Sequence, residues 1–139
     1  GSHNLHGACR VLTATSMVLS QGPAIFVTTD RVSGLSLAAL DRDRGAVCYR
    51  HVRRGHGACR VLAASGMTLT RSQELVVHGK STYHPALAQL GKGRAAVCYQ
   101  ATEARLQGCG YCSLLRAGRE SLSKGDDVVV NDGATQDIR

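Results

Sequence analysis

Apolar residues occur along this chain in short segments separated by polar or glycine-rich turns, and the same order of segments appears twice. The seven residues His6–Leu12 are identical to the seven residues His56–Leu62. The offset of 50 continues downstream, where residues 46–49 and residues 96–99 both read Ala-Val-Cys-Tyr. A match of this length without a gap indicates an internal duplication, and internal repeats determine the fold class.

A third copy begins near the end of the chain and has diverged. Residues 112–115, Cys-Ser-Leu-Leu, correspond to residues 59–62, Cys-Arg-Val-Leu, at an offset of 53. The three extra residues fall in the preceding turn, around residues 105–110. Cys109 is therefore an added cysteine, and Cys112 is the cysteine that belongs to the repeat.

Each copy is predicted to contain four short strands, of which the last is the most exposed. The predicted bounds, from the first strand of the repeat to the last, are 33–40 and 83–90; 45–50 and 95–100; 7–13, 57–63 and 110–116; 17–27, 67–77 and 120–130. Strands of this length and spacing are typical of sandwiches, barrels and propellers. A fixed period of about 50 residues favours a propeller, in which each blade is a four-stranded sheet.

We therefore predict an all-β fold of β-propeller-like repeats, each a four-stranded antiparallel blade, with a β-sandwich as the alternative. Residues 1–3, Gly-Ser-His, look like a scar left by tag removal, and residues 4–139 are predicted to form a single repeat domain. That domain would contain about two and a half blades: a half blade at 7–27 and blades at 33–77 and 83–130. Propellers close with about four blades or more. We expect the chain to join other copies, to belong to a longer protein or to use a more open geometry.

The order of motifs also resembles a known class of repeats. A first strand of the Ser-Tyr-x-Pro type is followed by Ala-Val-Cys-Tyr, then by Gly-x-Cys-x-x-Leu, and then by Leu-x-x-x-x-x-Leu-Val-Val. This pattern resembles the tandem propeller-like repeats of marine protists, especially dinoflagellates, of which a Cys-poor version occurs in marine phages and bacteria. The resemblance covers the chain from His6 to Gly133. It implies a repeat class and says almost nothing about function.

Four of the six cysteines are predicted to form two disulfides. Counting inward along the hairpins places Cys48 roughly opposite Cys59, and Cys98 roughly opposite Cys112. Cross-strand Cβ atoms lie about 4.5–5.5 Å apart, which is close to disulfide geometry. Disulfides would imply an extracellular or another oxidising compartment. The alternative is that these cysteines are buried free thiols.

The other two cysteines, Cys9 and Cys109, are predicted to be unpaired. The sequence Cys109-Gly110-Tyr111-Cys112 is formally a C-x-x-C, but it leads into a strand and not into the helix of a redox site. A zinc site would require a second ligand pair, and three histidines follow no recognisable ligand spacing: His56, His78 and His84. We predict no metal site and no cofactor.

The formal net charge is +7, and the basic residues are densest around one predicted hairpin tip at His51–His56. We expect this tip and a second one at Thr102–Gly108 to be exposed. Such a group can attract an acidic partner or a glycan, although a solvated basic surface is the plainer interpretation. Tyr83 and His84 open a first strand, where propellers often bind ligands near the channel mouth. The candidate binding residues are therefore Tyr83, His84, Arg50, Arg53 and Arg54.

The sequence contains no nucleophile elbow, phosphate loop or dinucleotide fingerprint. No apolar stretch approaches the roughly 18 residues of a membrane span. Only five aromatic residues are present, which argues against a nucleic-acid partner. We predict a non-enzymatic repeat module that binds a protein (copies of itself or a larger complex) or a glycan, or that serves as an accessory scaffold subunit. The alternative is a fragment of a propeller enzyme whose active site lies outside this chain.

Overall fold

The computed structural model describes residues 6–103 and 106–131, and within these ranges every regular element is a β-strand. In chain order the strands are β1 (Ala8–Cys9), β2 (Leu12–Thr15), β3 (Val18–Gln21), β4 (Ile25–Phe26), β5 (Val32–Ala39), β6 (Arg44–His51), β7 (Gly57–Ser65), β8 (Thr68–Arg71), β9 (Leu75–His78), β10 (Thr82–Gly91), β11 (Arg94–Glu103), β12 (Leu106–Ala117), β13 (Leu122–Lys124) and β14 (Val128–Asn131). The predicted all-β class is confirmed. Among these residues the sheets form no closed ring, so the predicted propeller is not confirmed.

The strands form three antiparallel units that follow the sequence repeat. Sheet 1 has the order β5-β6-β7-β8, with β9 also pairing with β7, and sheet 2 repeats this order with β10 to β14. The N-terminal unit contains only the third and fourth strands of a repeat. Its third strand is divided into β1 and β2 and its fourth into β3 and β4, which pair as β1-β4 and β2-β3.

The last strand of each repeat is divided into two short strands, so the predicted continuous strands at 17–27, 67–77 and 120–130 are wrong. At each break one backbone N–H donates a hydrogen bond to a carbonyl in the third-strand segment of the same repeat. The chain changes direction at this bond. The same bond occurs in all three units, at 2.9 Å in each: Gly22 to Val11, Ser72 to Val61 and Gly125 to Leu114. Repetition of this bond at offsets of 50 and 53 shows that the duplication extends to backbone detail.

Both predicted disulfides are present. Cys48 lies directly opposite Cys59, and Cys98 lies directly opposite Cys112, with a Cα–Cα distance of 4.1 Å in each pair. Each disulfide ties the second strand of a repeat to the third. The bridged residues are 11 and 14 positions apart. A disulfide that closes a loop of this length typically stabilises the folded protein by about 3 kcal/mol, because it restricts the unfolded chain.

The two surfaces of each sheet have different neighbours. We call face A the surface that carries Cys59 and Val61 in sheet 1, and face B the surface that carries Ala58 and Leu62, together with the equivalent residues of the other units. Face A of sheet 1 packs against face B of sheet 2 in one apolar cluster: Ala46, Cys48, Cys59, Val61 and Val77 against Val97, Tyr99, Tyr111, Leu115 and Leu122. Face A of the N-terminal unit packs against face B of sheet 1 in a second cluster: Cys9, Ile25 and Val27 against Val47, Tyr49, Ala58 and Leu62. The core is thus one A-on-B interface formed twice.

A close approach between units depends on glycine at the start of the third strand. A Cβ added to Gly57 would lie 2.8 Å from Cγ2 of Thr82, and one added to Gly7 would lie 3.0 Å from Cγ2 of Val32. Val32 and Thr82 are equivalent in the repeat. The identical glycine therefore allows the first strand of the next sheet to approach the third strand of the previous unit.

We expect Gly57→Ala to lower the free energy of unfolding by about 1–3 kcal/mol, because the new methyl group overpacks the contact with Thr82. Thr82→Ser removes the clashing Cγ2 and should recover part of the loss. Gly79→Ala is the matched control, since no atom lies within 4 Å of its Cβ position. Urea unfolding of the parent and these variants measures the effect. Equal losses for Gly57→Ala and Gly79→Ala would contradict the close approach.

Candidate functional site

Polar side chains gather at one end of sheet 1, beneath the hairpin tip that joins β6 to β7. We call this group, formed by Tyr49, His51, His56, Arg60 and Glu74, the Glu74 cluster. Tyr49 and His51 share face B because they are two positions apart on β6. Glu74 enters from the break between β8 and β9. The divided last strand therefore brings a carboxylate to side chains that belong to the hairpin.

The Glu74 carboxylate is the centre of the hydrogen bonds in this cluster. Its Oε2 accepts a hydrogen bond from the Tyr49 hydroxyl at 2.7 Å and lies 2.9 Å from Nε2 of His51. Arg60 donates its Nε–H to the Tyr49 oxygen at 2.9 Å and places Nη2 3.6 Å from the same carboxylate oxygen. One carboxylate thus holds a phenol, an imidazole and a guanidinium in fixed positions.

Two imidazoles lie side by side next to Glu74. The ring centroids of His51 and His56 are 4.6 Å apart, and Nε2 of His56 lies 4.0 Å from Oε1 of Glu74. On its other edge, Nδ1 of His51 lies 3.4 Å from Oδ2 of Asp30. His51 is only 1% exposed. The site is therefore a buried histidine flanked by two carboxylates and a second histidine.

The environment shifts the titration of three groups in the cluster. Burial raises the pKa of Glu74, but hydrogen bonds from Tyr49 and His51 and the charge of Arg60 outweigh burial and hold its pKa below the usual value. Burial and the hydrogen bond to Glu74 raise the pKa of the Tyr49 hydroxyl. Burial and the neighbouring His51 lower the pKa of His56. At neutral pH Glu74 is charged, while Tyr49 and His56 are neutral.

Sheet 2 retains part of this arrangement. Tyr99 takes the place of Tyr49, and Asp127 takes the place of Glu74 with a pKa that burial raises but hydrogen bonds from Lys124 and Tyr99 lower overall. Lys124 lies 2.6 Å from the Asp127 carboxylate. Ala101 stands at the position of His51. The tyrosine–carboxylate pair therefore belongs to the repeat, whereas His51 is specific to sheet 1.

The structure brings two of the sequence-predicted binding residues together and corrects part of the predicted tip. The Arg50 guanidinium lies over the Tyr83 ring, 4.6 Å from its centroid, which is a cation–π contact between the two sheets. Arg53 and Arg54 are exposed at the tip. His51 was predicted to be exposed, but it is buried, because it packs against Tyr49 and pairs with Glu74.

His84 is exposed at a bulge in β10 and has a positive φ of 50°, as its repeat equivalent Gly34 has at 60°. Cys9 forms no disulfide and is half-buried, and burial raises its thiol pKa. The predicted second tip at 102–108 and the side chain of Cys109 lie largely outside the described residues.

Sequence reasoning missed Glu74 and Asp30 as site residues, because each is an isolated carboxylate with no motif around it. The pairing of the two histidines carried a usable signal. Once Cys48 is set opposite Cys59, counting along the hairpin places position 51 opposite position 56, and the backbone N–H of His51 does donate to the carbonyl of His56 at 3.0 Å.

Two apolar faces at the ends of the chain remain open. On face A of sheet 2, Leu114 is 41%, Val128 is 61% and Val130 is 57% exposed. Their equivalents in sheet 1, Val61, Leu75 and Val77, pack in the A-on-B core. On face B of the N-terminal unit, Leu12 is 58% and Leu19 is 66% exposed. One end therefore presents a free face A and the other a free face B.

No protein-family model, curated protein or solved structure matches the chain. Among residues 6–103 and 106–131 there is no helix with the length and apolar character needed to cross a bilayer.

Acid should weaken the fold through Glu74. Because its pKa is lowered in the folded state, its stabilising effect is complete above the unfolded pKa near 4.3 and is lost as the pH falls through the folded value. We expect Glu74→Gln to cost about 1–2 kcal/mol near neutral pH. The variant should also lose less stability than the parent between about pH 6 and pH 3. Unfolding curves at both pH values test this, with the exposed Glu120→Gln as control. An unchanged pH dependence in Glu74→Gln would refute it.

Proposed function

We propose that this chain is a non-enzymatic repeat module that binds protein, and that its preferred partner is another copy of the same repeat, added head to tail. The pair of open, complementary faces carries this proposal. A free face A at one end and a free face B at the other are the two halves of the interface that already forms the core twice.

The apolar character of the open faces supports association through them. Val128 and Val130 are exposed side by side with Leu114 on one end, and Leu12 and Leu19 on the other. Contiguous exposed apolar surface marks interaction sites in soluble proteins. An interface between unlike faces is heterologous, so each added copy leaves the same two faces free. Such addition ends only when the rotation per unit closes a ring.

A closed propeller-like ring is the form we favour for the assembly. Two successive units already stack face to face, and β10 packs against β5 and β6 of the preceding sheet. Four or more blades are usual in closed propellers. The sequence resemblance to tandem propeller-like repeats points the same way.

The N-terminal unit offers a second point of attachment. Within the described ranges, β2 pairs only with β3, so its other edge is open. The neighbouring Leu37 on β5 is exposed, whereas its repeat equivalent Leu87 packs against the core. Strands that added to the open edge would complete a four-stranded sheet and cover Leu37. The two disulfides suit assembly in an oxidising compartment.

Two variants that block opposite faces give a direct test. The B-blocked variant has Leu12→Lys and Leu19→Lys, and the A-blocked variant has Val128→Lys and Val130→Lys. We expect the parent to form concentration-dependent oligomers and each variant alone to be a monomer. A mixture should give a one-to-one dimer, because the A-blocked variant keeps its face B and the B-blocked variant keeps its face A. Light scattering coupled to size-exclusion chromatography provides the masses.

The control for added charge is Val52→Lys, at an exposed valine of the hairpin tip of sheet 1, away from both open faces. It should assemble like the parent. Dimers of the B-blocked variant alone would indicate A-on-A contact and refute the head-to-tail arrangement. A parent protein that stays monomeric at high concentration would show that the faces serve a different protein.

A further inference from the structure

We propose that His51, His56 and Glu74 form a binding site for a divalent transition-metal ion, and that zinc is the ion that the ligand set fits. The sequence alone predicted no metal site, because the three residues follow no ligand spacing along the chain. The site is separate from the open faces of the proposed assembly.

The three residues come from three segments that meet at one end of sheet 1: the end of β6, the turn before β7 and the break before β9. Their candidate ligand atoms all lie within 4.8 Å of one another. Zinc holds nitrogen and oxygen ligands at about 2.0–2.2 Å in a tetrahedron, which places neighbouring ligand atoms about 3.3 Å apart. From the Glu74 carboxylate, Oε2 lies 2.9 Å from His51 Nε2, and Oε1, the oxygen that Tyr49 does not contact, lies 4.0 Å from His56 Nε2.

One of the candidate ligand atoms forms no hydrogen bond in this structure. Nε2 of His56 is buried and has no hydrogen-bond partner. Buried polar atoms of native proteins are almost always paired, and each exception calls for an explanation. A metal ion between His56 and Glu74 would satisfy this nitrogen. The ion would replace the direct contact of His51 with Glu74.

Neighbouring residues are placed as supports for metal ligands. Histidines that bind metals generally present the second ring nitrogen to a carboxylate, and ligating carboxylates are themselves hydrogen-bonded. Asp30 lies 3.4 Å from Nδ1 of His51, and the Tyr49 hydroxyl donates to Glu74 Oε2. Asp30 would thus fix the His51 ring, and Tyr49 would leave Oε1 of Glu74 free for the ion.

The charges around the site are balanced, because Arg60 lies 3.6 Å from Glu74 and Arg54 lies 3.9 Å from Asp30. An ion would therefore be held by direct coordination and not by a surplus of negative charge. Imidazole must be neutral to bind a metal.

With three protein ligands, a fourth position remains for water or an exogenous ligand. A surface cleft lined by Asp30, His51, Arg53 and Arg54 opens beside the site. The ion would tie the hairpin tip to the last strand of sheet 1. Sheet 2 has Ala101 in place of His51, so the protein should bind one ion and not two.

The test uses the whole protein with its disulfides intact, stripped of metal and titrated with zinc chloride. We expect one ion per molecule by calorimetry and a thermal midpoint raised by about 5–10 °C at a hundredfold excess over the dissociation constant. Cobalt(II) should give the visible absorption of a tetrahedral site. His56→Gln and Glu74→Gln should each weaken zinc binding by about 100-fold or more, and Asp30→Asn by about 10-fold.

The control is His84→Asn, which removes an exposed histidine where the backbone has a positive φ that asparagine tolerates. It should bind zinc like the parent. Unfolding curves establish that each variant is folded, and two independent ligand variants keep the test decisive if one is not. One zinc per molecule retained in folded His56→Gln and Glu74→Gln would place the ion elsewhere, for example at Cys9, and refute the proposal. Absence of binding by the parent protein would do the same.

Discussion

Packing of face A of one repeat against face B of the next forms both apolar clusters of the core. A sheet buries an apolar face only by packing it against another layer. Each face of a repeat therefore needs a neighbouring unit to cover it. Sheet 1 has a neighbour on both sides, and consecutive residues from Ala46 to Tyr49 are all buried. In sheet 2 burial alternates along β11: Ala95, Val97 and Tyr99 are fully buried, whereas the residues between them are only half-buried.

Other features of the fold are adapted to this packing. Glycine at position 57 allows the next sheet to approach, and its identical counterpart at position 7 does the same one unit earlier. The disulfides hold the second and third strands of each sheet together. The Glu74 cluster closes one end of the interface between sheet 1 and the N-terminal unit. If it holds a metal ion, that ion stabilises the hairpin tip where apolar packing ends.

The sequence was most informative where a feature depended on local register. The offset of 50 predicted strands close to β5, β6 and β7, and counting along the hairpins predicted both disulfides. The broken last strand was not predictable, because Ser72-Gln73-Glu74 reads as an ordinary exposed strand and the break depends on a bond to Val61. The buried state of His51 was missed for a similar reason: the nearby sequence is rich in arginine (Arg50, Arg53 and Arg54), whereas its neighbours in space are Tyr49 and Glu74. Pairing of unlike faces is a three-dimensional property that no linear pattern reports.

Cysteine cross-linking can establish whether face A of one copy meets face B of another. Within one molecule, Val61 and Leu115 belong to one cluster, and Val11 and Leu62 line one cleft. The equivalent contact between copies joins Leu114 to Leu12. One variant would carry Leu114→Cys and the other Leu12→Cys, with serine replacing Cys9 and Cys109 in both. If face A packs on face B, mild oxidation should give mainly the mixed disulfide between positions 114 and 12, and less of both symmetric products. Symmetric dimers in statistical or greater proportion, or no cross-link at all, would contradict this packing.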